Sequence, residues 1–116
     1  MSQVDWSQTS RDDAERAARR SELAQALARG GMEGVQVLSL ESAETVLTPK
    51  RRELIETLRS EDVESVRDLA RRVGRDKAQV SRDLGLLAEH SIIRYEEAGR
   101  MKRPCLVQEH IIVEPI

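Results

Sequence analysis

The chain has 116 residues, with 19 Lys+Arg against 21 Asp+Glu, for a formal net charge of −2. That length suits one domain with a modest core and excludes a large two-domain enzyme. One Cys, no Phe and no apolar run of about 18 residues exclude an internal disulfide scaffold, a multi-Cys zinc site and a membrane-spanning helix, and they require an aliphatic core.

Residues 1–10, MSQVDWSQTS, read as a disordered lead, and this polar start carries no apolar stretch of a signal peptide. A cytoplasmic location is therefore expected. Ser10 is placed as an N-cap, with Asp12 and Asp13 in the first turn, where the helix dipole favours them. A helix is expected to Arg29, where Gly30-Gly31 breaks it, so residues 11–34 form a helix and a Gly linker. In this helix Ala14, Ala17, Ser21, Ala24 and Ala28 recur at heptad spacing, with Leu23 and Leu27 beside them. Such a small-residue seam lets two backbones approach closely and suits a dimerisation helix. Packing on its own domain, or plain helix propensity, accounts for the same pattern.

Residues 35–116 read as a second unit. VQVLSL (35–40) suggests a short strand and ESAETVL (41–47) one or two helical turns. Thr48-Pro49 starts a helix to about residue 59, with Thr as cap and Pro at the first helical position. Ser65 to Val73 is a short amphipathic helix ended by Gly74. Asp76 is expected to cap a longer helix from Lys77 to about His90, with Val80, Leu84 and Leu87 at i, i+4 and i+7 on its inner face. Ile92–Glu97 then reads as a strand, Ala98-Gly99 as a turn, Met101–Val107 as the returning strand and HIIVE (110–114) as a last strand.

Helix, short helix, Gly turn, longer helix and hairpin is the order of a winged helix-turn-helix. The fold class expected is α+β, mainly α, with an extra N-terminal helix. A major groove about 12 Å wide admits one helix, which a second helix braces through a tight turn. Opposite the inner face of the long helix, Lys77, Ala78, Ser81, Arg82 and Gly85 form an outward strip, with Gln79 to one side. Arg82 suits a guanine edge, Lys77 a base or phosphate, Ser81 a phosphate or base edge, and Ala78 a thymine methyl. Gly85 permits a close approach at a cost of about 1 kcal/mol relative to Ala. Arg100, Lys102 and Arg103 cluster on the hairpin as a basic wing, and Arg75 is a further phosphate candidate. Arg71 and Arg72 are shared between phosphate and carboxylates such as Asp68. Lys50, Arg51 and Arg52 are placed too far from the groove to take part. Charge supports this reading: residues 1–48 carry five basic and eight acidic side chains, whereas residues 65–103 carry ten basic and six acidic.

The stretch SVRDLARRVGRDKAQVSRDLGLLAEHSIIRYEEAGR resembles the winged helix-turn-helix of ArsR/MarR-type transcriptional regulators. The preceding LSLESAETVLTPKRRELIETLR is similar to a narrower group, the small haloarchaeal and bacterial DNA-binding regulators with a Leu-Thr-Pro-Lys-Arg signature. The resemblance covers about residues 38–114. It implies a sequence-specific DNA-binding regulator, a dimeric repressor, with Lys77, Ala78, Ser81 and Arg82 at the DNA. Because members of that group can resemble antitoxins, it also implies an alternative: a protein-interaction module with a toxin-like partner, with or without autoregulation. The partners expected are double-stranded DNA and a second copy of the chain, and no membrane.

Cys105, His90 and His110 lack metal-ligand spacing, so no metal and no cofactor is expected. Cys105 reads as a small strand residue and His90 as a helix C-terminal residue. No phosphate loop or nucleophile motif is present, so an enzyme is not expected.

Overall fold

A computed structural model describes residues 6–115, with side chains from Asp13 onward. The elements run α1 (Trp6–Arg29), β1 (Val35–Ser39), α2 (Leu40–Val46), α3 (Pro49–Ser60), α4 (Val66–Val73), α5 (Lys77–Glu89), β2 (Ile93–Ala98), β3 (Met101–Leu106) and β4 (His110–Glu114). The architecture is α+β, a winged helix-turn-helix preceded by one long helix.

Local chemistry sets most boundaries. Thr48 Oγ1 accepts from Arg51 N–H at 3.4 Å and Pro49 opens α3. Ser65 Oγ accepts from Asp68 N–H at 3.0 Å to start α4. Gly74 ends that helix in the left-handed region (φ 66°), while Arg75 N–H donates to Ala70 O at 3.0 Å. A side chain at Gly74 would be strained by its φ, so glycine suits this turn.

One aliphatic cluster holds the wing to the helices. Leu54 of α3, Leu69 and Ala70 of α4, Val80, Leu84 and Leu87 of α5, and Ile92-Ile93 at the start of the hairpin are all buried in it. The three α5 positions expected to face inward are each fully buried. Burying a Leu or Val contributes about 1.5–3 kcal/mol, so this face fixes the rotation of α5 and hence what its opposite face presents.

The structure corrects three details. The first helix begins at Trp6, so residues 6–10 are helical and the Ser10 cap with acidic first turn does not form; residues 1–5 of the expected lead lie outside the described residues. Asp76 occupies the N-cap of α5 but makes no side-chain capping bond. Ala98 pairs with Met101 within the hairpin ladder, which moves the turn to Gly99-Arg100. The last strand forms where expected, and its partner is β1: β4 pairs with it in parallel, from Val35↔His110 to Ser39↔Glu114.

That β1–β4 pair forms a platform for α1. Arg20 reaches Glu114 at 3.6 Å, and among the described side chains of the helix, Asp13 to Arg29, the half-buried ones are Arg20, Ala24 and Leu27. Ala14, Ala17, Ser21 and Ala28 remain exposed. The helix thus packs on its own domain along one side, while most of the Ala seam lies on the adjoining free side.

Candidate nucleic-acid interface

The buried face of α5 turns Lys77, Ala78, Gln79, Ser81 and Arg82 outward, and all five are exposed. Gly85 is half-buried, and an added Cβ there would meet no heavy atom within 4 Å.

On one flank of α5 lies a cleft of about 490 Å³, bounded by the α4 N-terminus and the wing. Arg67, Lys77, Arg100 and Lys102 line it together with Ser65 and Ser81, and no carboxylate does. These cations come from three elements and the hairpin turn, so only folding brings them together. Arg67 was missed in the sequence reading. Its signal was available: it follows the Ser65 cap by two residues, in the first turn, where α4 meets the wing. The Lys102 ammonium stands 6.0 Å from the Tyr95 ring centroid across the hairpin, a cation–π distance that steadies an otherwise free wing side chain.

Three basic residues are placed differently from expectation. Arg103 lies on the opposite face of β3 from Lys102, as neighbouring strand residues must. It is half-buried, its guanidinium is beside Cys105 and is influenced by Asp62 and Glu96, and it lines a separate hollow. Arg75 is turned inward: its Nη2 donates to Asp83 Oδ2 at 2.7 Å, and its side chain is 12% exposed. Arg51, expected to be remote, reaches α5 directly, with Nε donating to the other Asp83 oxygen at 3.1 Å. Asp83 therefore ties α3 and the α4–α5 turn to the long helix.

Arg71 and Arg72 both pair with Asp68, and Arg72 also reaches Glu61 and the Asp62 carbonyl. The Glu64 N–H donates to the same carboxylate, and with Arg71 and Arg72 it holds the Asp68 pKa well below the usual carboxylate range. These two arginines brace the start of α4 away from the cleft lining.

His90 caps the C-terminus of α5, and Cys105 is a half-buried β3 residue. Among the described residues no group of three His, Cys, Asp or Glu could hold a metal ion, and no helix is long and apolar enough to cross a membrane.

The chain is similar in fold to the homodimeric winged helix-turn-helix DNA-binding domain (fragment 1–100) of Mb0332 from Mycobacterium bovis, described as a possible ArsR-family transcriptional regulator. The identity is 16%, the match covers 78% of this chain and 72% of that one, and the TM-score is 0.52. A MarR/EmrR family transcriptional regulator from Acinetobacter sp. ADP1 matches at 23% identity over 81% of this chain and 64% of its own, with a TM-score of 0.48. No curated protein matches the sequence. The family model HVO_A0114 matches residues 46–113, from the end of α2 through the helices and wing into β4. On that match, which spans more than half of its length, the chain belongs to the HVO_A0114 family.

Proposed function

We propose that the protein is a sequence-specific DNA-binding transcriptional regulator, working as a homodimeric repressor in the cytoplasm and carrying no catalytic activity. The observation that carries this reading is the pairing of an exposed polar strip on α5 with a carboxylate-free basic cleft between α4, α5 and the wing. α5 enters the major groove by its N-terminal end. Arg82 and Gln79 reach base edges, Ala78 and Ser81 make close contacts, and Lys77, Arg67, Arg100 and Lys102 hold backbone phosphates. Arg75 acts by positioning α5 through Asp83 rather than by touching DNA, and Arg103 makes at most a peripheral contact. The homodimeric state of the Mycobacterium bovis domain supports a two-fold arrangement, with the exposed Ala14, Ala17, Ser21 and Ala28 on α1 as its seam.

The test is fluorescence anisotropy with DNA from the protein's own upstream region against random duplex over a salt series. Preferential binding upstream, with affinity falling steeply as salt rises, is expected. Equal, weak binding to both duplexes argues against specific regulation through that site.

A second reading rests on the same free side of α1. An exposed small-residue seam fits an antitoxin-like module that binds a partner helix, with or without DNA binding. A single co-purifying protein that survives high salt, with no DNA affinity, selects it.

A further inference from the structure

We propose that the chain carries a second phosphate site on the flank of α5 away from the wing, formed with the first turn of α3. It takes a backbone phosphate of the DNA strand that the wing cleft does not hold. The proposal rests on the DNA-binding reading above.

A second cleft, of about 540 Å³, lies between the N-terminal turn of α3 and α5. Lys50, Arg51, Arg75 and Arg82 line it, and Asp83 is its one carboxylate. Both Asp83 oxygens are already occupied, by Arg51 Nε at 3.1 Å and Arg75 Nη2 at 2.7 Å. One negative charge therefore faces four positive ones. Lys50 and Arg82 are exposed and form no ion pair among the described residues. The buried Nε and Nη1 of Arg75 find no acceptor among the described residues either, so the inner wall keeps a positive field. Gln79 adds an amide beside the cations.

The ligand chemistry follows from this excess. A net excess of three positive charges around an open cleft favours an oxyanion, with Lys50 as its direct donor while Arg51 and Arg75, held on Asp83, and Arg82, turned to the base edges, supply the field. Pro49 carries no N–H and the Arg51 N–H is capped by Thr48 Oγ1, so Lys50 supplies the one amide of this turn left for a ligand, and the helix dipole there has the same sign as the side chains.

Position decides the source of the phosphate. A helix with its side chains is about 10–12 Å across and the major groove about 12 Å wide, so a helix lying in the groove has a sugar-phosphate strand on each side. The wing cleft, with Lys77 and Ser81, serves one flank of α5. The α3 cleft, with Gln79 and Arg82, serves the other. Lys50 and Arg51, expected to lie too far from the groove, then stand at the second grip.

The experiment compares the full chain with Lys50→Ala and Lys102→Ala. Lys50 is exposed and makes no ion pair among the described residues, so its removal leaves the core intact. Binding of a fluorescein-labelled random duplex is followed over a potassium chloride series, and the amide resonances of the parent are followed during titration with inorganic phosphate against chloride of equal ionic strength. Expected is a fall of about 0.9 per bound protomer in the salt slope for Lys50→Ala, together with saturable phosphate shifts at Lys50, Arg51, Gln79 and Arg82 that Lys50→Ala removes. If only Lys102→Ala lowers the slope, the DNA reading stands and the second grip is overturned; phosphate shifts that persist in that case assign the cleft to a free phosphate compound instead. No localised shift with phosphate overturns the site itself. A parent that does not bind duplex overturns the DNA reading and the strand assignment together.

Discussion

Arg75 and Asp83 meet at 2.7 Å across the helix-turn-helix turn, which couples the pitch of α5 to the residue just after Gly74. Arg51 reaches the same carboxylate from α3. The three side chains are between 12% and 20% exposed, so water only partly replaces a lost partner. Asp83→Ala strands two guanidinium groups and is expected to destabilise the protein by about 2 kcal/mol, read by urea denaturation. Asp83→Asn, which keeps the shape and one acceptor, is expected to cost less. Equal stability of all three proteins would mean that the cluster does not brace α5.

Arg82 is exposed and forms no ion pair among the described residues, so its removal tests recognition without testing folding. Arg82→Ala is expected to leave the melting temperature unchanged and to lower discrimination of upstream from random DNA by about 1–3 kcal/mol. Unchanged discrimination removes Arg82 from base reading.

Gly85 separates stability from function. No atom lies within 4 Å of an added Cβ, so Gly85→Ala is expected to raise stability by about 1 kcal/mol through helix propensity. The same methyl group stands on the outward strip and is expected to weaken DNA binding. A more stable variant that binds DNA as well as the parent shows that α5 does not approach DNA closely at this point.

Asp68 predicts a pH dependence of stability. Its pKa is held down by the Glu64 N–H first, then by Arg71 and Arg72. A depressed folded-state pKa contributes stability that is complete above the unfolded value of about 3.9 and is lost as pH falls from there through the folded value. Asp68→Asn is therefore expected to melt below the parent at neutral pH, with the gap closing as the solution is acidified. A gap that stays constant with pH assigns the loss to hydrogen-bond geometry rather than to charge.

The free side of α1 predicts the assembly. Ala17 is exposed in the single chain, so Ala17→Glu leaves the fold intact but places a charge within the proposed seam. Sedimentation equilibrium is expected to show a dimer for the parent and a shift toward monomer for the variant. A variant that remains fully dimeric moves the interface elsewhere.

The helical register of the domain was legible in the sequence because its signals are local. The Thr48 cap, Gly74 as the end of α4, and the Val80-Leu84-Leu87 spacing each act within one or two turns. The same spacing fixed which α5 residues face outward. The start of α1 was misplaced at Ser10 because a good capping residue does not compel a helix to begin there; helical residues before it continue the ladder instead.

Where charges from distant segments meet is set by packing between elements. Arg51 and Asp83 are 32 residues apart and make one cluster. Arg67 joins Lys77 and Lys102 in one cleft, whereas Arg103, adjacent to Lys102, faces the other way. The parallel pairing of β1 with β4 is likewise set by chain return, not by either segment alone. Periodicity specifies which face of an element is buried, since burial is a property of each element's own pattern. A cationic side chain takes its role from the neighbour it finds, and that neighbour is chosen by packing between elements whose separation along the chain leaves no mark on either one.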